Sequence, residues 1–517
     1  MIKNTWIYAF LLFGILVISC NSQPEEQKKN SPNIIFILTD DQGWTHVSHR
    51  ADPEVPDSES DYYETPHMDR LALSGMMFTN GYAPNPICSP TRHSVMLGQN
   101  AARHIYNKDV DWYKKADNRL TIPKALKAAN KEYQTAHFGK WHIAIHPKEA
   151  GFDYEEGMTS NGDGNVFKNE FLGSRQYTQD ANDWLVKEEV PNPTEMKLAG
   201  KPSAYWNEEN PKDIFGMTNR AKEFMKNCIS KDKPFYVQLS HYATHLALSS
   251  KAETYDYFNG KESGERHTNP EFAAMLKDLD SSVGSIMDFV VEQGIQNNTY
   301  IFLMGDNGGR LSLNQIAIID SNKKLVSARY SKQNLRNIPL RDGKHSFYEG
   351  GLRVPFMAAG PGIEPNSVSR VPVTGLDLLP TFASLADDNF EIDQSLDGGN
   401  LLPLLVDKKV ETVSRNRDAL IFHQGAHRKP RSAIIKDDYK LIKYWIPEKK
   451  YPDAPKVELY NIGGDLSESR DISLENPDIV AALEKELLEF LYEVDAETSV
   501  RDIDDPYDRA VKELEGE

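Results

Sequence analysis

Cysteine is scarce in this chain, which has only three among its 517 residues: Cys20, Cys88 and Cys228. A framework of several disulfides is therefore excluded as the basis of its stability. Long apolar runs are also scarce, and the one at residues 6–18 is too short to span a bilayer comfortably. Basic residues are outnumbered, with 59 Lys and Arg against 77 Asp and Glu, so the formal net charge is −18. This balance argues against nucleic acid as a partner, and an anionic ligand would need a local cationic pocket.

The N-terminal segment predicts export. Lys3 precedes the apolar run, as in a signal peptide, and residues 16–20 read Leu-Val-Ile-Ser-Cys. This ending resembles a bacterial lipobox, which implies lipidation of Cys20 after cleavage. We therefore predict a lipoprotein signal peptide at 1–20, a polar tether at 21–31 and a lipid anchor in the bacterial outer membrane, on its periplasmic or surface face. A plain secretory signal is the alternative.

Strand and helix patterns alternate along most of the chain. Residues 33–38 form a continuous apolar run, which is typical of a strand buried on both faces of a parallel sheet. Thr65-Pro66 predicts a helix start with Thr65 as N-cap. Further helices are predicted at 122–129, 213–229, 271–292 and 376–386, and further strands at 234–240, 299–304 and 354–359. The pattern predicts an α/β fold with a large central, mostly parallel sheet flanked by helices.

The pattern changes after about residue 405. A hairpin is predicted from 432–435 and 439–444, with another strand at 458–460. The helical periodicity of 478–494 places Ile479, Leu483, Leu487, Leu488 and Leu491 on one side. We therefore predict a large domain at 32–404 and a smaller α+β domain at 405–517, with a solvated acidic tail beyond Asp495. Cys228 lies in a helical pattern and is interpreted as core.

The most informative motif is Cys88-Ser89-Pro90-Thr91-Arg92. Together with its continuation to Gly98 it resembles the motif of type I sulfatases. The resemblance implies that a separate maturation enzyme oxidises Cys88 to formylglycine. A hydrated aldehyde offers two hydroxyls on one carbon, so that one can attack sulfur and the other can later expel sulfate. Arg92, one helical turn further on, would hold the nucleophile. A buried free cysteine before a helix is the alternative for the motif alone.

Two pairs of oxygen-bearing residues end predicted strands. Asp40 and Asp41 follow the first strand, and Asp306 and Asn307 follow the strand at 299–304. Open α/β sheets bind ligands beyond the carboxyl ends of strands, so both pairs could converge on one cation. Oxygen ligands suit Ca²⁺ or Mg²⁺ rather than zinc, although either pair alone could be a strand-ending turn. Both segments are similar to sulfatase metal motifs. The resemblance implies one Ca²⁺ ion bound by these four residues and the modified Cys88.

Three further segments resemble sulfatases and supply cationic and imidazole groups. Lys140 and His142 lie in Gly139-Lys140-Trp141-His142, and Lys344 precedes Tyr348-Glu349-Gly350-Gly351. The resemblance implies that Lys140 and Lys344 bind sulfate oxygens, that His142 orients or deprotonates the formylglycine hydrate, and that His245 donates a proton to the leaving oxygen. Fixed positive groups around a transferring sulfuryl group would act electrostatically. We interpret Trp141 as a packing residue and His241 as a structural histidine.

The resemblance extends from Pro32 to about Asp465 and implies an alkaline-phosphatase-like fold. Departures from the family pattern occur at Leu97, Ala144, Thr244 and Asp342, and they leave every proposed catalytic atom in place. They leave the subfamily and the substrate open.

The expected substrate is a sulfated carbohydrate. An exported lipoprotein sulfatase fits the degradation of sulfated polysaccharides, with an algal polymer such as ulvan favoured and glycosaminoglycan possible. Basic residues at 323–336 and 428–431 would form a substrate subsite or a solvated face, and His423 and His427 lie where the family often adds substrate contacts. Two other functions stay open: a phosphonate or phosphate ester hydrolase of the same superfamily, and a non-catalytic glycan-binding lipoprotein.

Overall fold

A computed structural model describes residues 31–105, 119–159, 210–246, 248–311, 316–319, 325–329, 337–425, 430–445 and 457–498. The predicted signal peptide with Cys20, the tether up to residue 30, His427 and most of the two basic clusters lie outside the described residues. Within those ranges, every helix is too short or too polar to cross a bilayer.

The α-helices of the described residues are α1 (Pro66–Ser74), α2 (Cys88–Leu97), α3 (Ile122–Ala129), α4 (Ile214–Ser230), α5 (Ala252–Gly260), α6 (Pro270–Glu292), α7 (Glu349–Leu352), α8 (Leu378–Ala386), α9 (Leu402–Val406) and α10 (Pro477–Glu493). The strands are β1 (Asn33–Thr39), β2 (Met76–Phe78), β3 (Gly81–Tyr82), β4 (Gln134–Gly139), β5 (Phe235–Ser240), β6 (Thr299–Gly305), β7 (Ile316–Ile319), β8 (Leu325–Arg329), β9 (Phe356–Ala359), β10 (Ser367–Ser369), β11 (Val373–Thr374), β12 (Leu420–Gln424), β13 (Arg431–Lys436), β14 (Tyr439–Tyr444) and β15 (Val457–Asn461).

The central sheet has seven strands in the order β10-β2-β9-β6-β1-β5-β4. Four of its six neighbouring pairs are parallel, and the two pairs that involve β9 are antiparallel. The prediction of a mostly parallel sheet flanked by helices is therefore confirmed, with β9 as the reversed strand.

Both faces of the central sheet are buried, as the continuous apolar run of β1 predicts. Ile35 and Ile37 point into a core shared with α4 and α6, whereas Ile34, Phe36 and Leu38 point into a core shared with α3 and α8. Burying one such side chain contributes about 1.5–3 kcal/mol. Cys228 lies in the first of these cores, as predicted.

The second sheet is antiparallel, with strand order β12-β13-β14-β15. Alternate residues face opposite sides. Ile434 and Leu441 pack against α10, whereas Ile435 and Ile442 pack near Phe347 and Leu352 beside the central sheet. This sheet therefore lies directly behind the segment that contains Lys344. A domain boundary at 404/405 stays a prediction.

Three local expectations need correction. Thr65 is the N-cap residue of α1 with Pro66 after it, as predicted, but its side chain bonds Ser48 and Asp69 rather than a helix N–H. Leu488 is 40% exposed, because it lies at the edge of the apolar side of α10. Ala496 and Glu497 are buried rather than solvated, and the Glu497 carbonyl lies 2.9 Å from Nε2 of the buried His423. The predicted solvated tail therefore does not begin directly after Asp495, and residues 499–517 lie outside the described residues.

Candidate active site

The candidate site lies at the carboxyl ends of four neighbouring strands. β6, β1, β5 and β4 are adjacent and parallel, so their ends share one edge of the sheet. Asp40 and Asp41 follow β1, Asp306 and Asn307 follow β6, and Lys140 follows β4. This is the edge at which open α/β sheets bind ligands.

Cys88 reaches the same place from another direction, as the first residue of α2. It is 3% exposed. Its sulfur, one oxygen of Asp40 and one oxygen of Asp306 all lie within 4.8 Å of one another. The Nζ atom of Lys344 lies 3.9 Å from the sulfur. The structure therefore brings the cysteine, both strand-end pairs and a lysine together.

Three buried oxygens at this edge accept no hydrogen bond from any described residue: Asp40 Oδ1, Asp41 Oδ2 and Asn307 Oδ1. The Nδ2 atom of Asn307 donates to Asp41 Oδ1 at 2.8 Å, which fixes the orientation of the amide. Buried oxygens without partners are costly unless a ligand satisfies them. Carboxylate and amide oxygens are the ligands that hard cations prefer, so the residues fit a Ca²⁺ or Mg²⁺ ion.

Three buried cations accompany the three carboxylates. Lys140 Nζ lies 2.6 Å from Asp40 Oδ2, and Lys344 Nζ lies 2.5 Å from Asp41 Oδ1. Arg92 Nε donates to Asp306 Oδ2 at 2.9 Å, and its Nη1 donates to the Lys140 carbonyl at 2.7 Å. Arg92, predicted to hold the nucleophile, thus links a proposed metal ligand to a proposed sulfate-binding lysine.

Burial and these cations set the protonation of the carboxylates. Burial alone would raise the pKa of Asp40, but Lys140, His245 and Arg92 outweigh it and lower that pKa below its usual range. Burial raises the pKa of Asp306 to about 8, and the negative charge of Asp40 adds to the rise. A second carboxylate therefore ionises reluctantly beside the first, and a divalent cation would relieve that repulsion.

The histidines differ in their relation to the site. His245 Nε2 lies 3.9 Å from Asp41 Oδ2, while its Nδ1 lies 2.7 Å from the Leu246 carbonyl. Because a carbonyl only accepts, Nδ1 carries a proton, and Nε2 can donate only in the imidazolium form. Burial lowers the pKa of His245 to about 4, against the pull of Asp40 and Asp41. Proton donation by His245 therefore requires additional negative charge at the site.

The other two histidines of interest are both buried. His142 has a left-handed φ of 54° in the turn after Lys140. His241 is fully buried, with Nε2 3.2 Å from the Ser282 hydroxyl, as its structural interpretation implies. Trp141 packs in the core and donates from Nε1 to the Ile145 carbonyl at 2.6 Å.

Backbone contacts hold the metal-site loops together. A side chain at Gly308 would collide with the Gly350 carbonyl, so the glycines permit the loop after β6 to touch the short helix α7. Thr244 donates from its amide to the Asp40 carbonyl at 2.6 Å. A proline at this position lacks that hydrogen, so the departure at Thr244 adds a bond to the metal-site loop.

Sequence reasoning missed a buried charge network behind Lys344. Lys440 of β14 places Nζ 3.0 Å from Glu349 Oε1 and 2.8 Å from Glu468 Oε1, and all three side chains are fully buried. Arg353 Nε lies 2.6 Å from Glu349 Oε2. Arg341 stacks on Tyr348 with a centroid distance of 3.8 Å. These residues join the second sheet to the loop that carries Lys344.

Sequence reasoning also missed Arg310, which lies at the rim of the site. Its Nη1 lies 4.0 Å from Asp41 Oδ2, and its side chain is 27% exposed. The available signal was its position directly after Asp306-Asn307-Gly308-Gly309. In contrast, His423 does not face a substrate, because it is fully buried and its Nδ1 lies 2.8 Å from Ser432 Oγ.

Comparison with known proteins agrees with this geometry. The sequence profile of the sulfatase family matches residues 32–388, and the profile described as N-sulphoglucosamine sulphohydrolase, C-terminal, matches residues 342–495. A sulfatase of Formosa agariphila is 27% identical over 95% of this chain and 94% of its own length. The N-acetylgalactosamine-6-O-sulfatase of Bacteroides thetaiotaomicron is 26% identical over 94% of this chain and 99% of its own.

Among solved structures, Ps i-CgsB in complex with k-i-k-neocarrahexaose has a TM-score of 0.66 and 25% sequence identity. The match covers 94% of this chain and 98% of that one. The chain therefore belongs to the sulfatase family of the alkaline-phosphatase-like superfamily, and it is a sulfuric ester hydrolase.

Proposed function

We propose that this enzyme releases sulfate from sulfated carbohydrates, with Cys88 oxidised to formylglycine and one Ca²⁺ ion beside it. The observation that carries the proposal is the position of Cys88, buried at the start of α2 within 4.8 Å of oxygens of Asp40 and Asp306. Family membership supports both additions, because sulfatases generally use formylglycine and a metal.

The ion would be held by Asp40, Asp41, Asp306, Asn307 and the modified Cys88. The three oxygens without hydrogen-bond partners supply ligand atoms that need no rearrangement of existing bonds. When present, the ion would polarise the sulfate ester and the formylglycine hydrate would supply the attacking hydroxyl. Mixed carboxylate and amide oxygens favour Ca²⁺, which takes more ligands than Mg²⁺ and tolerates irregular geometry.

The chain's own side chains would bind the ester and move protons. Lys140 pairs with Asp40 and Lys344 pairs with Asp41. Both lysines would bind sulfate oxygens as fixed positive charges. His142 would orient or deprotonate the attacking hydroxyl. His245 would protonate the leaving oxygen, and a bound sulfate group would raise its pKa toward the value this role needs.

The substrate class follows from the relatives. One is named for N-acetylgalactosamine-6-O-sulfate, and another holds a neocarrahexaose. Both support sulfated oligosaccharides as substrates. Neither name includes ulvan, so ulvan oligosaccharides are tested as a separate substrate.

Export and a lipid anchor at Cys20 are part of the proposal and rest on the sequence of residues 1–20 alone. They would place the enzyme on an outer membrane, in contact with sulfated polysaccharide or its fragments. Its maturation would require a formylglycine-generating enzyme in the same cell.

The test compares sulfate release from three sulfated sugars with turnover of matched phosphate and phosphonate esters. The sugars are N-acetylgalactosamine-6-sulfate, neocarra-oligosaccharides and ulvan oligosaccharides. We expect sulfate esters to be preferred by orders of magnitude in kcat/KM. A large preference for phosphate or phosphonate would instead support the sister hydrolase activity.

Variants of the two buried cysteines of the described residues distinguish a sulfatase from a non-catalytic glycan-binding protein. Cys88→Ala should abolish turnover, whereas Cys228→Ala, which alters the core under α4, should retain it. Equal turnover by both variants and the wild-type protein would support the non-catalytic alternative.

A further inference from the structure

Arg310 is a cation at the mouth of the site with no assigned role in the reaction described above. It follows the loop Asp306-Asn307-Gly308-Gly309, so its backbone belongs to the metal-site loop itself. The Gly309 carbonyl accepts from Lys344 N at 3.0 Å and from Asn337 Nδ2 at 2.9 Å. Arg310 is therefore anchored at a defined position beside the proposed sulfate-binding lysine.

The guanidinium of Arg310 has no hydrogen-bond acceptor among the described residues. The acid nearest to it there is Asp41, whose Oδ2 lies 4.0 Å from Nη1, too far for a hydrogen bond. The other oxygen of Asp41 already interacts with Lys344 at 2.5 Å and Asn307 at 2.8 Å. Arg310 is thus a peripheral partner of an aspartate whose charge is already matched.

A cation bound at Asp41 Oδ2 would weaken this partnership further. The ion would compensate the charge of Asp41 and repel the guanidinium, which would then turn toward solution. The side chain of Arg310 is already 27% exposed, so part of it faces solution before any movement. The donors of Arg310 would then face the part of a substrate that lies outside the sulfate pocket.

We propose that Arg310 binds a second anionic group, a sulfate or a carboxylate, on the carbohydrate that carries the scissile sulfate. This inference rests on the proposed function and extends it from sulfated sugars in general to sugars with two neighbouring anionic groups. The planar fork of a guanidinium matches the oxygens of sulfate or carboxylate and binds them through two parallel hydrogen bonds. Lysine offers the charge without that fork.

The experiment measures affinity in protein that carries Cys88→Ala, so that binding is read without turnover. Three probes are compared: a monosulfated hexosamine, the same sugar with a second sulfate, and the monosulfated sugar joined to a uronic acid. Titration calorimetry gives the affinity ratio of each dianionic probe to the monosulfated one. Arg310→Ala and Arg310→Lys are tested beside Arg470→Ala, a control arginine that pairs with Glu475 on an exposed loop.

We expect at least one dianionic probe to bind about 10- to 100-fold more tightly than the monosulfated probe. Arg310→Ala should reduce that ratio to about one, Arg310→Lys should keep part of it, and Arg470→Ala should leave it unchanged. The probe that responds identifies sulfate or carboxylate as the second group.

Two results would overturn the assignment. One is an affinity ratio near one in protein that retains Arg310. The other is a loss in Arg310→Ala that is equal for all three probes, which would place Arg310 on the scissile sulfate or in the loop structure. Absence of sulfate turnover in the wild-type enzyme with Cys88 oxidised would refute the proposed function instead, because the affinity ratio does not depend on turnover.

Discussion

Replacement of Lys440 by methionine should destabilise the enzyme strongly, although Lys440 lies outside the site. Methionine has similar length and no charge, so the change removes the cation and keeps most of the packing. Glu349 would retain Arg353 at 2.6 Å and the Tyr82 hydroxyl at 3.0 Å. Glu468 would retain the Glu349 amide at 2.6 Å. The fully buried carboxylate of Glu468 would then lack its cation.

Removing one partner of a buried ion pair costs about 3–5 kcal/mol. This is a large part of the roughly 5–15 kcal/mol by which native proteins are stable. Burial already raises the pKa of Glu468 to about 7, and Lys440 opposes that rise. Without Lys440 the pKa rises further, so the folded state of the variant binds an extra proton near neutral pH. The loss should therefore be largest above about pH 7 and smaller near pH 5.

The assay is urea unfolding of both proteins at about pH 5 and about pH 8. Lys443→Met is the matched control, because Lys443 lies on the same strand and pairs with Glu484 at 2.6 Å, with side chains 15% and 30% exposed. That variant should lose less than about 1 kcal/mol. If Lys440→Met behaved like Lys443→Met at the higher pH, the reasoning about the buried network would be refuted.

Three further predictions concern the metal, the nucleophile and α1. Chelation should abolish turnover and lower Tm, because the proposed ion would be the partner of three buried oxygens; adding Ca²⁺ at 100 times its Kd should restore about 2.7 kcal/mol of stability. An unchanged Tm after chelation would contradict the proposed metal site. Cys88→Ser should lose multiple turnover and keep its far-UV spectrum, and retained turnover would refute covalent catalysis. Asp280, which accepts from the His67 and Met68 amides, has a pKa raised to about 7 by burial, so its ionisation costs stability between about pH 4 and 7. Asp280→Asn keeps an acceptor and should flatten that decline in pH-dependent unfolding; an unaltered slope would argue against it.

The central sheet and its binding edge could be predicted because local signals carry them. The apolar run of β1 requires burial on both faces, and Asp40-Asp41 come directly after it. Asp306 and Asn307 stand in the same relation to β6. Since parallel strands end at a common edge, their convergence follows from topology alone.

The supporting contacts could not be predicted, because they join isolated charges far apart in sequence. Lys440 meets Glu349 across 91 residues, and no local pattern distinguishes it from Lys443 on the same strand. The prediction of His423 as a candidate substrate contact is wrong because its burial depends on the fold of the second sheet, which no local pattern reveals. Arg310 was adjacent to a motif, yet its exposure and its distance from Asp41 required the structure.

The most direct test of the account is mass spectrometry of the peptide that contains Cys88, taken from a preparation that turns over sulfate esters. We predict that the thiol is replaced by an aldehyde that reacts with a hydrazine reagent. An intact thiol throughout such an active preparation would contradict a formylglycine nucleophile at this position.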